Sequence, residues 1–104
     1  FEEFKRIDLR VAKVVAAERV EGTQKLLKMQ VEIGDEQRQI VSGIAHLYDP
    51  AQLIGKTIVV VSNLKPAKIR GIESNGMLLA AVLDDEHLTL VTTDKEFASG
   101  ARVE

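Results

Sequence analysis

Residues 26–42, Leu-Leu-Lys-Met-Gln-Val-Glu-Ile-Gly-Asp-Glu-Gln-Arg-Gln-Ile-Val-Ser, carry the clearest fold signal in the chain. In their first half, apolar residues at positions 27, 29, 31 and 33 alternate with polar ones, which is the period of a half-buried β-strand. A Gly-Asp pair then supplies a turn, and residues 37–41 form a second, less regular strand pattern. The segment therefore predicts a β-hairpin.

Further strand patterns lie on both sides of this hairpin. The apolar positions of residues 9–20 change parity midway, which predicts a long strand with a bulge or bend near Ala12-Lys13. Residues 57–62 and 77–83 are apolar on both faces, as in strands buried between neighbours. Shorter strands are predicted around residues 88–92 and 101–103. The chain is therefore expected to be mainly all-β.

One short helix is predicted between the third and fourth strands. Asp49 is a favoured N-cap, Pro50 occupies the first helical position, and Gly55 provides the stop. Five strands with a helix at this place match an OB-fold five-stranded barrel. We therefore expect a single domain over residues 1–104, with a core at about 8–83 and a C-terminal strand extension at about 84–104.

A cationic loop precedes the strand predicted at residues 77–83. Lys65, Lys68 and Arg70 lie between Asn63 and Ile72 without an acidic residue among them, although the formal net charge of the chain is −2. A proline at position 66 and a glycine at position 71 favour an ordered turn. Such a loop presents several cations to a phosphate backbone, whereas the alternative is a solvated turn whose lysines confer solubility.

The charge of the whole chain is divided unevenly. The first 72 residues contain 12 Lys and Arg against 9 Asp and Glu, and the remaining 32 contain 2 against 7. The basic part can attract a polyanion, although surface charges also scatter without function.

Composition excludes several classes of site. The chain has no cysteine, which removes disulfides, thiolate metal ligands and a cysteine nucleophile, and it has no run long enough for a membrane span. It does not begin with methionine, which favours an appended domain of a longer protein. His46 and His87 lie in no metal-ligand spacing, and no glycine-rich phosphate loop or nucleophile motif is present. We expect a non-catalytic domain without cofactor or metal.

Four motifs in order resemble a known family. Residues 8–14, Asp-Leu-Arg-Val-Ala-Lys-Val, look like its opening strand, Lys25-Leu26 like the entry to its second strand, and residues 41–44, Val-Ser-Gly-Ile, like the exit of its third. Residues 63–81, Asn-Leu-Lys-Pro-Ala-Lys-Ile-Arg-Gly-Ile-Glu-Ser-Asn-Gly-Met-Leu-Leu-Ala-Ala, resemble its signature. The family is the tRNA-binding domain appended to the C-terminus of methionyl-tRNA synthetases, which also occurs as free-standing dimeric proteins.

This resemblance implies binding of tRNA by a cytoplasmic domain. Candidate contacts, from the resemblance and from the chemistry of the basic loop together, are Asn63, Lys65, Lys68, Arg70, Ser74 and Lys25. Only four aromatic residues are present, and none lies in the predicted binding loop, so recognition of a folded RNA through shape and backbone is favoured over stacking on single strands.

The resemblance also leaves a second function open. A free-standing branch of the family is dimeric and chaperone-like, so a protein-interaction module is the alternative. A homodimer is implied, for which the N-terminal turn with Phe1 and Phe4 and the C-terminal extension are the expected contributors.

Overall fold

A computed structural model describes residues 6–104, so the predicted turn around Phe1 and Phe4 lies outside the described residues. The elements of these residues are β1 (Leu9–Arg19), β2 (Leu27–Ile33), β3 (Glu36–Ser42), α1 (Pro50–Leu53), β4 (Thr57–Val61), β5 (Ala67–Ile69), β6 (Ile72–Ser74), β7 (Met77–Leu78), β8 (Ala80–Asp84), β9 (His87–Leu90) and β10 (Arg102–Val103). The main sheet has the order β3-β2-β1-β4-β7, with β10 also paired to β1, and all of its pairings are antiparallel. Two small two-stranded sheets, β5-β6 and β8-β9, complete the described structure.

Strand β1 organises the main sheet because its two halves pair with different neighbours. Its first half lies between β4 and β10, and its second half pairs with β2. The register with β2 shifts between Val14 and Ala16, where an extra residue bends the strand and reverses the side-chain alternation. The predicted bulge is therefore confirmed, but it lies slightly later than Ala12-Lys13. The bend lets the sheet curl into an open half-barrel, consistent with the predicted OB-like barrel.

The hairpin of β2 and β3 supplies much of the core. Leu27, Met29 and Val31 are fully buried, whereas the polar residues between them are half-buried on the other face. They pack with Ile40 from β3 and with the side chain of Leu53 from α1. The alternation seen in the sequence thus corresponds to one face of a curled sheet.

The helix α1 is a single turn between β3 and β4, as predicted. The carboxylate of Asp49 accepts a hydrogen bond from the backbone N–H of Ala51 at 3.0 Å, and Pro50 opens the helix. Its one buried residue, Leu53, has no exposed surface. Within residues 6–104, no helix is long and apolar enough to cross a membrane.

Side chains join β3 to the segment that contains β6 and β7. The hydroxyl of Ser74 accepts a hydrogen bond from the backbone N–H of Val41 at 3.0 Å and donates one to the carbonyl of Gly76 at 2.9 Å. The Gln39 amide donates to the Glu73 carbonyl at 2.8 Å, and Gln39 accepts from the N–H of Asn75 through its own carbonyl at 2.7 Å. These bonds join β3 to the segment of β6 and β7, which do not pair with it as strands, and in this way they close the curled sheet.

The C-terminal extension begins earlier than the sequence pattern indicates. The strand predicted over residues 77–83 is divided, because β7 pairs with β4 whereas β8 turns to pair with β9. The β8-β9 hairpin is attached through Tyr48, whose hydroxyl accepts a hydrogen bond from the N–H of Leu90 at 3.0 Å. The predicted final strand is present as β10.

Candidate nucleic-acid interface

The predicted basic loop contains a β-hairpin formed by β5 and β6. Ile69 pairs with Ile72, so that Arg70 and Gly71 are the two turn residues, with φ values of 54° and 82°. Positive φ at both positions is the geometry of a type I′ turn, the two-residue turn that matches the twist of paired strands. Glycine adopts this conformation freely, but an arginine does so at a cost of about 1 kcal/mol or more. Arg70 is the only residue other than glycine with positive φ among residues 6–104.

The basic loop presents its cations to solvent, with Lys65 just before the hairpin and Lys68 and Arg70 within it. Lys65, Lys68 and Arg70 are all exposed, whereas Ile69 and Ile72 are half-buried. Because side chains alternate along a strand, Lys68 lies on the face opposite to these isoleucines. The hairpin is therefore held by an apolar face and leaves the opposite face, which carries Lys68, available to a ligand.

An acidic residue lies across the hairpin from Lys68. Glu73 is its direct partner in the register of β5 and β6, and both side chains are exposed. Residues directly opposite in an antiparallel pair have Cβ atoms about 5 Å apart, so the carboxylate partly offsets the lysine charge. The formal charge of residues 63–74 is +2, with three cations and one carboxylate.

Two predicted contact residues have their polar groups engaged within the protein. The Asn63 amide oxygen accepts from the N–H of Asp8 at 3.0 Å, and its amide nitrogen donates to the carbonyl of Arg6. Ser74 is 3% exposed, and its hydroxyl makes the two closing bonds described above. Asn63 and Ser74 thus fix the two ends of the segment that carries the cations.

Lys25 lies in the turn before β2 and is not part of the hairpin. Its ammonium nitrogen is 3.6 Å from a carboxylate oxygen of Asp85, and its side chain remains 52% exposed. The same turn reaches the hairpin through a surface cleft, which is lined by Glu18, Arg19, Val20, Glu21, Lys28 and Ile72. The exposed Arg19 therefore borders the hairpin, and it was missed because no local pattern connects positions 19 and 72.

Another ionic group lies at the base of the hairpin, beyond Asn63. The hydroxyl of Ser62 and the guanidinium of Arg10 donate hydrogen bonds to the Asp8 carboxylate, and they hold the pKa of Asp8 below its ordinary value. The guanidinium of Arg38 pairs with Glu36 at 2.9 Å and donates to the Ser62 carbonyl. These hydrogen bonds and ion pairs connect the ends of β1, β3 and β4.

Both histidines make a hydrogen bond within the protein, and Nδ1 of His46 is buried without a hydrogen-bond partner among the described residues. His46 makes a 2.7 Å hydrogen bond through Nε2 with the carbonyl of Asp85, and Nδ1 of His87 lies 2.9 Å from the carboxylate of Asp84. The hydrogen bond with His87 lowers the pKa of Asp84, and a backbone N–H of the same turn adds to this effect. Within the part of the chain that the structure describes, no cluster of three or more His, Cys, Asp or Glu residues could hold a metal ion.

The chain matches known proteins along almost its whole length. Residues 9–102 match the family described as "Putative tRNA binding domain". The methionine–tRNA ligase of Deinococcus radiodurans is 54% identical over 102 residues, and that of Thermotoga maritima is 55% identical over 102 residues. Each match covers 98% of this chain but only 15% and 16% of the respective ligase.

Solved structures share the fold. A MetRS-related protein from Pyrococcus horikoshii superposes with a TM-score of 0.92 at 42% identity, and the match covers 99% of this chain and 94% of that one. The chaperone CsaA from Bacillus anthracis superposes with a TM-score of 0.91 at 28% identity, covering 100% and 96%. With the match over residues 9–102, these similarities show that the chain belongs to the tRNA-binding-domain family and is homologous to a segment of the methionine–tRNA ligases.

Proposed function

We propose that this chain binds folded tRNA through the exposed cations of the β5-β6 hairpin, as the C-terminal appendage of a methionyl-tRNA synthetase. The observation that carries the proposal is the tip of this hairpin. Arg70 occupies a left-handed conformation at the turn, and the exposed Lys65 and Lys68 precede it, Lys65 before β5 and Lys68 within β5. Backbone strain of this kind is concentrated at functional sites, and here it places a guanidinium at the most projecting point of the hairpin.

The chemistry of the three cations fits a phosphate backbone. Arg70 can make two parallel hydrogen bonds to one phosphate, whereas Lys65 and Lys68 act as point charges. Lys25 adds a fourth contact when its ion pair with Asp85 is exchanged for a phosphate. Three to four contacts predict that affinity falls roughly 20- to 150-fold between 50 and 200 mM salt.

Asn63 and Ser74 belong to the proposed site as positioning residues. Their polar atoms are engaged by the backbone at the two ends of the segment, so they set where the cations stand. Few aromatic side chains are available for stacking, and the described ones lie outside the hairpin, at Tyr48 and Phe97. The binding mode is therefore shape and backbone recognition of a folded RNA.

As an appendage, the domain acts by tethering. Its affinity alone is modest, but a linked binding module raises the effective concentration of tRNA near a catalytic body. This chain corresponds to 15% of the length of the Deinococcus radiodurans ligase, which fits such an arrangement. The place of action in this proposal is the cytoplasm.

The domain acts as a homodimer in this proposal. The C-terminal extension exposes large apolar side chains, with Val82 at 59%, Leu83 at 89% and Phe97 at 55% exposure. Apolar side chains grouped on one hairpin and its following segment are typical of an interface. Sedimentation at micromolar concentration should give a dimer, and Leu83→Asp should shift it to a monomer. A monomeric wild type would refute this part of the proposal.

The main experiment measures affinity for unfractionated tRNA at 50 and 200 mM salt. A Lys65→Ala, Lys68→Ala, Arg70→Asn variant removes the three charges, and asparagine tolerates the left-handed turn position better than arginine. The matched control removes the same charge elsewhere, at the exposed residues Lys56, Lys95 and Arg102. We expect the hairpin variant to lose most of its affinity and salt dependence. Equal losses in both folded variants would contradict the proposed site.

Protein interaction is the second candidate function, favoured by the 28% identity and close superposition with the chaperone CsaA. This alternative predicts that the wild type does not bind tRNA and that the exposed apolar extension binds unfolded polypeptide instead. Suppression of the aggregation of a denatured client protein, abolished by Leu83→Asp, is the corresponding measurement.

A further inference from the structure

The turn between β8 and β9 is a compact acidic projection. Asp84, Asp85 and Glu86 are consecutive and exposed. The turn belongs to the C-terminal extension, yet it lies beside the turn that carries Lys25, 60 positions earlier in the sequence. An acidic group next to a proposed phosphate contact is electrostatically unfavourable for RNA binding.

Hydrogen bonds hold this turn in place. The carboxylate of Asp84 accepts from the N–H of Glu86 at 2.9 Å and interacts with the ring of His87 at 2.9 Å. The carbonyl of Asp85 is bound by Nε2 of His46 at 2.7 Å, which fastens the turn to the segment after β3. The backbone of the acidic turn is therefore held by the fold and does not depend on the ion pair with Lys25.

The carboxylate of Asp85 and an RNA phosphate would use the same cation. The Lys25 ammonium is 3.6 Å from Asp85, and half of the lysine side chain is exposed and reachable by a ligand. A phosphate that binds Lys25 competes with this carboxylate for the ammonium and approaches the two neighbouring acidic side chains. Both effects weaken binding on this side of the domain.

We propose that Asp85 competes with RNA phosphate for Lys25 and marks the acidic border of the RNA footprint. This inference rests on the proposed function. The ion pair lowers the contribution of Lys25 to RNA binding, because a phosphate competes with the Asp85 carboxylate for the ammonium group.

The test compares Asp85→Asn with Asp35→Asn in the tRNA assay at 50 mM salt. Asp35 is an exposed carboxylate in the β2-β3 turn, so its variant makes the same change in net charge elsewhere. Both changes are repeated in a Lys25→Ala background, and equal melting temperatures confirm that all variants are folded. We expect Asp85→Asn to raise affinity about two- to fivefold, the range of exposed ion pairs, and Asp35→Asn to have a smaller effect.

The double variant decides how Asp85 acts. If Asp85 competes for Lys25, the gain from Asp85→Asn disappears in the Lys25→Ala background. A gain that persists there, or one equal to that of Asp35→Asn, would overturn the inference, because only general electrostatics would remain. Wild-type binding that is lost in the hairpin variant but unaffected by Asp85→Asn would refute this inference alone. An absence of wild-type binding would refute it together with the proposed function.

Discussion

Replacing Ser74 by alanine tests how the curled sheet is closed. The serine is 3% exposed, and its hydroxyl has one partner in β3 and another in the chain before β7, at 3.0 and 2.9 Å. Alanine leaves a buried N–H and a buried carbonyl without this partner, and each unsatisfied group costs about 1–3 kcal/mol. Allowing for partial relaxation, we expect a loss of about 2–4 kcal/mol in the free energy of unfolding. For a domain of this size, that lowers the melting temperature by roughly 10–20 °C.

Thermal and urea unfolding followed by far-ultraviolet circular dichroism measure this loss. Ser99→Ala is the control, because the Ser99 hydroxyl accepts one exposed hydrogen bond, from the N–H of Gly34 at 3.1 Å. A melting temperature for Ser74→Ala no lower than that of Ser99→Ala would refute the closing role. Once the variant is fully folded at low temperature, its tRNA affinity should fall because Ser74 positions the segment with the cations, but by less than in the variant that lacks the three cations. A large loss of affinity with unchanged stability would instead show direct contact between Ser74 and RNA.

Three further predictions follow from single positions. The pKa of Asp8 is lowered, mainly by the hydrogen bond from the Ser62 hydroxyl. The ionised carboxylate therefore stabilises the fold above its unfolded pKa of about 3.9, and this stabilisation is lost as the pH falls through the folded pKa. Melting curves between pH 2.5 and 7 should show a smaller drop in melting temperature at acid pH for Asp8→Asn than for the wild type. Gly76 has a φ of +120°, and a Cβ added there would lie 3.0 Å from the carbonyl oxygen of Val61 in β4. Gly76→Ala should therefore lower the midpoint of urea unfolding by about 1 M or more. An unchanged midpoint would contradict the strained geometry. Glu73→Gln removes the carboxylate opposite Lys68 and should tighten tRNA binding about two- to threefold, whereas weaker binding would mean that Glu73 itself positions the site.

Local patterns in the sequence were sufficient to predict most of the elements. The alternation around Met29 corresponds to a strand with one buried face, and the Asp49-Pro50 pair begins the helix as expected. The bulge in β1 was also predicted, because an inserted residue must reverse the alternation. Its exact position depends on which residue of β2 faces Val14, and this pairing is set by tertiary structure.

The parts of the candidate site that could not be predicted depend on contacts between distant or cross-strand residues. In the sequence, Lys68 lies in a stretch without acidic residues, whereas the register of the hairpin places Glu73 directly opposite it. The ion pair between Lys25 and Asp85 joins positions 60 residues apart, and no periodicity reveals it. Arg70 would not be expected in a type I′ turn, since asparagine and glycine are the residues that favour it.

The attachment of the β8-β9 hairpin has a practical consequence for spectroscopy. Tyr48 is the single tyrosine of a chain without tryptophan, and its hydroxyl is bound to the backbone of β9. Tyrosine emission from the unlabelled protein therefore originates at the junction between the barrel and its extension. A change in that emission before the far-ultraviolet signal changes would report detachment of the extension as a separate, earlier step of unfolding.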